Sequence, residues 1–326
     1  MKSHILLFFV FFLASGLAFG ETRCLTGEDP FQPGDSNRIV CDGIHWEFSR
    51  RPDGCGEGCR FIVDIHGKAM NASDQKELTR FEVYDPNSRY IVLRPRAPDP
   101  GWFRFRAWTV TRGMIPARDP AQIDAAATIN RYSGVAAFLR EVVEKWGGKK
   151  PVIHVSGFSQ GALLSWWLAC HHPGLITSIA PVAYSLVEKL CPNGPSPRVA
   201  VFYTHGVCDR MDLYGSGPLR TWALLTGGPP RPDPGQALED EACQGRHSWH
   251  EAVSKDGVPL EMVSHGFLTS KRHFYLNTAG HCLPSPGKAA PTRCHSQGFD
   301  WSREALAFFA KAEARTGKVV VAGKKP

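Results

Sequence analysis

Residues 151–164 read PVIHVSGFSQGALL, and this stretch decides the fold. A short run rich in β-branched residues, 152–155, leads into the pentapeptide 157–161, and a segment typical of a helix follows. A strand, a G-x-S-x-G turn and a helix in that order are the context of a nucleophile elbow. Glycine flanks the turn because side chains there would collide with neighbouring backbone. The sequence therefore predicts that Ser159 is a nucleophile at the carboxyl end of a strand.

Strands and helices alternate on both sides of this stretch. The hydrophobic pattern predicts a hairpin over 38–48, strands over 61–65, 90–93, 176–183, 199–203 and 260–263, and helices over 134–146 and 302–314. Alternation of this kind predicts the α/β class, with a mostly parallel central sheet covered by helices on both faces. In such sheets a site lies at the carboxyl ends of the strands. We expect one catalytic domain over residues 21–326.

The first 20 residues have the pattern of a signal peptide. Lys2 supplies a positive start, residues 5–13 are an unbroken apolar run, and residues 18–20 (AFG) form a small-x-small cleavage site. The run is shorter than the roughly 20 residues that a membrane-spanning helix needs. We therefore predict a secreted, extracellular protein with no membrane association after cleavage. An uncleaved anchor is the alternative.

The net charge is mildly basic and spread along the chain. The formal charge is +7, and Lys2 is the one charged residue that removal of residues 1–20 takes away. Because no long run of Lys or Arg occurs, a solvated surface explains this charge better than nucleic-acid binding does.

All ten cysteines follow the predicted signal peptide, and an even number in an exported protein indicates disulfides. Pairing of neighbours along the chain suggests the bonds Cys24–Cys41, Cys55–Cys59, Cys170–Cys191, Cys208–Cys243 and Cys282–Cys294. Sequence does not fix the connectivity. Zinc is a competing use, because Cys55 and Cys59, and His247 and His250, have tolerable ligand spacing. No second cysteine pair completes a closed site, so no metal is predicted.

A nucleophilic serine needs a base to accept its proton and an acid to orient that base. Asp209 follows the predicted strand 199–203 closely, and Asp212 is the near alternative. His281 lies further on, in a loop marked by glycine and proline. The order Ser159, Asp209, His281 is that of the α/β-hydrolases.

The tetrahedral intermediate of acyl transfer also needs two N–H donors for its oxyanion. The amide of Gln160, directly after the nucleophile, is the first candidate. The second is the amide of Lys68, which lies in the loop after the predicted strand 61–65. His66 in that loop is interpreted as a hydrogen-bonded anchor.

Four motifs together resemble the secreted polyhydroxybutyrate depolymerase and feruloyl esterase group. They are IHG at 65–67, the elbow GFSQG at 157–161, H-G-x-x-D at 205–209 and G-H-C-x-P at 280–284. The resemblance spans residues 61 to the C-terminus and implies an α/β-hydrolase fold, no cofactor, and hydrolysis of esters with bulky or polymeric acyl parts. The cysteine count adds the expectation that disulfides stabilise this fold. Two departures are Ala162, where the group usually has a second glycine, and Cys282-Leu283, where an aromatic residue is common.

The function predicted from these residues is that of a secreted serine esterase whose ester substrate is bulky or polymeric. A serine peptidase could use the same residues. An alternative from another class is an inactive hydrolase scaffold that binds carbohydrate or polymer through its tryptophans. The candidates are Trp102, Trp108, Trp166, Trp167, Trp249 and Trp301. Packing in the core is the simpler explanation for most of them. The segment 227–249, which begins with a Gly- and Pro-rich stretch, is predicted to form a rim over the site and to shape substrate choice.

Overall fold

The computed structural model describes most of the chain from Arg23 onwards. The described residues are 23–25, 38–49, 58–98, 106–110, 122–212, 217–228, 243, 245–269, 280–286 and 292–322. The predicted signal peptide, Cys55, Trp102 and residues 229–242 of the predicted rim lie outside them.

Among these residues, nine strands form one sheet and two short strands pair separately. Along the chain they are β1 (Arg38–Cys41), β2 (Ile44–Phe48), β3 (Arg60–Ile65), β4 (Ile91–Arg96), β5 (Val152–Phe158), β6 (Ser178–Val182), β7 (Ala200–Gly206), β8 (His247–Val253), β9 (Pro259–His265), β10 (Leu283–Ser285) and β11 (Arg293–His295). The large sheet has the order β1-β2-β4-β3-β5-β6-β7-β9-β8, and β10 pairs with β11. The strands from β4 to β9 in that order run parallel, while β1, β2 and β8 are antiparallel additions at the two edges.

The sequence patterns of the central strands differ from that of the edge strand β1. β3 reads RFIVDI and β7 reads AVFYTHG, and apart from Arg60 every residue of the two is buried. Near-continuous apolar runs are typical of parallel strands covered on both faces. β1 instead alternates exposed and buried residues, and Asp42 and Gly43, both with positive φ, make the turn into β2. The predicted hairpin over 38–48 is confirmed.

Helices cover both faces of the sheet, as predicted. They are α1 (Ala72–Thr79), α2 (Phe81–Tyr84), α3 (Ala125–Trp146), α4 (Gln160–His171), α5 (Gly217–Thr226) and α6 (Trp301–Ala322). Apolar side chains of α3 and α4 pack in one core cluster, and those of α1, α2 and α6 pack in a second. α4 is buried from Gln160 through Ala169, which accounts for its apolar sequence all round.

The chain changes direction across the sheet at β3. From β3 the chain adds β4 on one side, and it then returns to add β5 on the other side. In parallel α/β sheets, ligands bind outside the carboxyl ends of the strands at such a switch point. Residues that follow β3 and β5 therefore lie where this fold type positions its site.

The predicted helix over 134–146 is too short. α3 begins at Ala125, where the side chain of Asp124 accepts a hydrogen bond from the Ala127 amide, and it ends before Gly147. The apolar periodicity starts only at Val135 because the first turns of α3 are rich in alanine and polar residues. The capping residue was the better signal for the start of this helix.

Strand β8 was not predicted. Its sequence HSWHEAV alternates between exposed and half-buried positions without an apolar face, because it is an edge strand. β8 begins at His247 and therefore includes the last residues of the segment 227–249 that is predicted to form a rim. Among the described residues, no helix is both long enough and apolar enough to cross a membrane.

Candidate active site

The elbow has the geometry that its sequence predicts. β5 ends at Phe158, α4 begins at Gln160, and Ser159 between them has φ 53° and ψ −117°. A Cβ atom at Gly157 would run into the backbone of Gly161, and one at Gly161 would run into the carbonyl of Ile65. Both glycines are therefore required by close backbone approach.

Ser159, His281 and Asp209 form a continuous hydrogen-bonded chain. The Ser159 Oγ lies 2.9 Å from His281 Nε2, and His281 Nδ1 lies 2.7 Å from Asp209 Oδ2. Asp209 and His281 are buried, whereas Ser159 is half-buried. The structure thus brings together the three residues predicted as nucleophile, base and acid, over sequence separations of 122 and 72 residues.

Two further glycines let the acid and the base meet. A Cβ atom at Gly206 would run into the carbonyl of Gly280, and one at Gly280 would lie 2.6 Å from the Asp209 amide nitrogen. The loop after β7 and the loop before β10 therefore pack backbone against backbone. This contact explains why glycine precedes both the acid and the base in the sequence.

Asp212, the alternative acid, is engaged elsewhere. Its Oδ2 accepts a hydrogen bond of 2.5 Å from the Ser185 amide. The carboxylate of Asp209 is oriented by its own loop, because Oδ1 accepts from the amides of Met211, at 2.7 Å, and Asp212, at 3.3 Å. Oδ2 of Asp209 is left facing the imidazole of His281.

The carboxylate of Asp209 and the imidazole of His281 shift each other's pKa. Burial alone would raise the pKa of Asp209, but the charge and hydrogen bond of His281 hold it below the ordinary 3.8. Burial alone would lower the pKa of His281, and the Asp209 carboxylate more than offsets this, so the pKa of His281 is raised above 6.5. The pair therefore favours an imidazolium beside a carboxylate, which is the state formed when a base accepts the serine proton.

The two predicted oxyanion donors follow the strands on either side of the switch point. Gln160 is the first residue of α4, and Lys68 lies in the loop after β3. That loop is pressed on the elbow, since a Cβ atom at Gly67 would lie 3.3 Å from the Phe158 carbonyl. Among the described residues, neither amide donates a hydrogen bond to another backbone group.

His66 anchors the loop after β3, as interpreted from the sequence. Its Nδ1–H donates to the Gly67 carbonyl at 2.7 Å, and its Nε2 accepts from the Ala97 amide at 3.0 Å. Burial is the main reason that the pKa of His66 is lowered to about 4. The imidazole is therefore neutral near pH 7 and holds one tautomer.

The side chain of Gln160 has a contact that the sequence did not reveal. Its Oε1 accepts hydrogen bonds from the amides of Trp108, at 3.0 Å, and Thr109, at 3.3 Å. The same segment also holds the loop after β3, because the Ala69 amide donates to the Arg106 carbonyl at 2.9 Å. No motif links residues 106–110 to the elbow, so no sequence signal pointed to this contact.

Four of the predicted disulfides are present: Cys24–Cys41, Cys170–Cys191, Cys208–Cys243 and Cys282–Cys294. The predicted partner of Cys59, Cys55, lies outside the described residues, and Cys59 is itself disulfide-bonded, which removes its thiolate as a zinc ligand. His247 and His250 lie three residues apart on β8 and so project from opposite faces of that strand.

Most of the described tryptophans belong to the core. Trp108, Trp166, Trp167 and Trp301 are buried, whereas Trp249 on the edge strand β8 is 38% exposed. The core-packing account therefore holds for four of the six candidates for a polymer-binding surface.

The switch-point sheet, the elbow after β5 and the order of Ser159, Asp209 and His281 define an α/β-hydrolase fold, stabilised by disulfides. No protein-family model and no curated protein matches the chain.

Solved structures to which the chain is similar include three esterases. An acetyl xylan esterase from Aspergillus awamori has 14% identity and a TM-score of 0.45 over 68% of this chain and 87% of that one. A Bacillus cereus carboxylesterase has 17% identity and a TM-score of 0.43 over 56% and 79%. A Mesorhizobium loti carboxylesterase has 18% identity and a TM-score of 0.46 over 58% and 84%.

Proposed function

We propose that the protein is a secreted serine esterase that hydrolyses carboxylic esters through an acyl-enzyme. The observation that supports this best is the hydrogen-bonded chain from Ser159 through His281 to Asp209, which begins on the elbow after β5. A serine is a weak nucleophile unless a neighbouring base accepts its proton as it attacks. The neutral imidazole of His281 is within hydrogen-bond reach of that proton.

In the proposed first half-reaction, Ser159 Oγ attacks the ester carbonyl carbon and His281 Nε2 takes the serine proton. The oxyanion that forms accepts hydrogen bonds from the amides of Gln160 and Lys68. Collapse of the intermediate expels the alcohol, which leaves with the proton from His281. Asp209 holds the imidazole in the Nδ1–H tautomer and stabilises its charged form throughout.

In the second half-reaction, a water molecule attacks the acyl-serine while His281 accepts a proton from that water. The second tetrahedral intermediate collapses to the free carboxylic acid, and the proton returns to Ser159. All bonds made and broken belong to the substrate, the water and these side chains.

The proposed substrates are esters of bulky or polymeric compounds, such as polyhydroxyalkanoates or the feruloyl and acetyl esters of polysaccharides. The four motifs that resemble the depolymerase and feruloyl esterase group support this choice. The disulfides agree with an extracellular location, because disulfides persist in oxidising compartments.

A panel of esters tests the proposal. Wild-type protein and the Ser159→Ala variant are assayed on p-nitrophenyl esters of increasing chain length, feruloyl esters, acetyl-xylan and polyhydroxybutyrate. We expect hydrolysis of at least one of these, with turnover several orders of magnitude lower in Ser159→Ala. If no substrate is cleaved faster by the wild type than by the variant, the protein is not a serine esterase of this kind.

A further inference from the structure

A closed ring of hydrogen bonds lies behind the acid. The Ser185 hydroxyl lies 3.0 Å from the Tyr203 hydroxyl, which lies 3.0 Å from His205 Nδ1. His205 Nε2 lies 2.9 Å from the backbone carbonyl of Asp212, whose carboxylate accepts from the Ser185 amide. The ring therefore joins the loop after β6, the end of β7 and the loop that bears Asp209.

The proton positions in this ring follow from one fixed acceptor. A backbone carbonyl only accepts, so His205 Nε2 must carry the proton that it shares with Asp212. Nδ1 faces the Tyr203 hydroxyl, which can then donate its proton to it. The oxygen of Tyr203 is left to accept from the hydroxyl of Ser185. His205, Tyr203 and Ser185 are all buried, so no bulk water competes for these bonds.

His205 acts on the carboxylate of Asp209 in two ways. It bonds the backbone carbonyl of Asp212, and the amide of Asp212 donates to Asp209 Oδ1 at 3.3 Å. His205 Nε2 also lies 3.6 Å from Asp209 Oδ2, the oxygen that faces His281. The Nε2–H of His205 therefore directs a positive dipole towards the carboxylate, while its hydrogen bond fixes the loop that sets the rotation of that carboxylate.

We propose that His205 is a positioning residue that orients Asp209 towards His281 through its Nε2–H. This inference rests on the proposed serine-esterase function, and it assigns a role to a residue outside the catalytic three. It also gives a role to Asp212, whose backbone carbonyl and carboxylate hold the loop that carries Asp209 in place.

Two substitutions of His205 test the contacts of its two ring nitrogens separately. In His205→Gln, the amide nitrogen reaches the position of Nε2 and can still donate to the Asp212 carbonyl. In His205→Asn, the shorter amide occupies the position of Nδ1, so it keeps the contact with Tyr203 and loses the donor to Asp212. The matched control is His154→Asn, which makes the same change at another buried, hydrogen-bonded histidine that contacts Ser178 and Glu313 instead.

The readouts are kcat and KM on the best ester of the panel, and the downfield NMR resonance of the His281 Nδ1 proton. We expect His205→Asn to lower kcat on the order of 10²-fold with KM changed less than about threefold, because the base drifts while substrate binding is kept. The His281 resonance should shift in this variant. His205→Gln should restore most of kcat, and His154→Asn should keep both kcat and the resonance.

Equal losses in His205→Asn and His205→Gln, or a wild-type kcat in His205→Asn, would overturn the proposal. If His205→Asn does not fold, Tyr203→Phe replaces it, since this change removes only the hydroxyl that bonds His205 Nδ1 and Ser185. It should lower kcat by about three- to tenfold at constant KM, and an unchanged kcat would contradict the role of the ring. If the wild type cleaves no ester, the proposed function fails, but the His281 resonance in the same variants still decides whether His205 orients the acid.

Discussion

Ser159 occupies a backbone conformation that few residues other than glycine adopt. A non-glycine residue in such a region costs on the order of 1–3 kcal/mol and persists only where the surroundings enforce it. Here the Ser159 amide donates to the Val182 carbonyl at 2.9 Å, and the helix that follows is buried along its length. The packing of α4 and the pairing of β5 with β6 therefore hold the hydroxyl out from the end of the sheet.

The choice of acid leads to the first prediction. Asp209→Asn should lower kcat on the order of 10⁴-fold, because the amide would stabilise the wrong tautomer of His281. Asp212→Asn should cost far less, since its side chain holds the Ser185 amide and does not contact the imidazole. Steady-state kinetics on one ester compare the two variants. A larger loss in Asp212→Asn would show that the assignment of the acid is wrong.

The second prediction concerns the pH dependence of kcat/KM. His281 acts as a base only when neutral, and its pKa in the folded protein lies above 6.5 because of Asp209. Activity should therefore rise with pH through an apparent pKa above 6.5. Asp209→Asn removes the carboxylate that raises the pKa of His281, so the acid limb of its residual activity should move to lower pH. A limb that does not move would mean that another group controls it.

At the residue scale, the sequence predicts the candidate reacting side chains better than the residues that hold them in position by hydrogen bonds. Ser159, Asp209 and His281 each sit in a short motif with glycine, and those glycines are needed for the close contacts seen around them. Tyr203 and Ser185 belong to no motif, because their partners come from other loops of the fold. Hydrogen bonds between distant loops leave no pattern along one chain.

At the scale of elements, disulfides tie down both loops that meet behind Ser159. Cys208 precedes the acid and is bonded to Cys243, while Cys282 follows the base and is bonded to Cys294. Cys282 and Cys294 are buried; Cys282 directly precedes β10, and Cys294 lies within β11, with which β10 pairs. The bond at 282–294 closes a short ring beside His281.

Removal of this bond gives the third prediction. The Cys282→Ser/Cys294→Ser double variant should lose about 3 kcal/mol of stability in the chain-entropy account. Assayed well below its melting temperature, it should also lose kcat/KM, by up to about 10²-fold, because the base is less well positioned. Cys24→Ser/Cys41→Ser, which breaks a bond at the β1 edge strand, is the control and should keep kcat/KM. Wild-type kcat/KM in the first variant would show that the bond does not position His281.

Element prediction succeeded for the buried strands and the β1–β2 hairpin, and it failed at other peripheral elements. The parallel strands were found because apolar runs mark strands covered on both faces. The start of α3, the edge strand β8 and the short strands β10 and β11 were missed, because they carry little apolar periodicity. Their positions depend on the sheet against which they lie.

At the scale of the whole molecule, buried histidines make the stability of the fold depend on pH. His66 and His265 are buried on opposite sides of the candidate site, and burial, as the largest cause, lowers their pKa values to about 4 and about 3. In the unfolded chain both titrate near 6.5. Between these values the unfolded state binds more protons, so stability falls as the pH falls below about 6.5. His281 acts in the opposite sense, because its pKa is raised.

The fourth prediction follows from this balance. The free energy of unfolding should drop between pH 7 and pH 5, by roughly 2 kcal/mol for each of His66 and His265. Chemical denaturation at the two pH values measures the drop. His265→Met should reduce it, whereas His45→Gln, at an exposed position on β2, should leave it unchanged. An equal drop in the His265→Met variant would exclude this histidine as a cause.

The most direct test of the central claim is covalent labelling of Ser159 by a fluorophosphonate, read by intact mass and peptide mapping. Attack on phosphorus needs the same activated hydroxyl as attack on an ester, and it does not depend on knowing the substrate. The wild-type protein should gain one adduct, located on Ser159, and the folded Ser159→Ala variant should gain none. An unlabelled wild type, or an adduct on another residue that persists in Ser159→Ala, would contradict the assignment of Ser159 as the nucleophile.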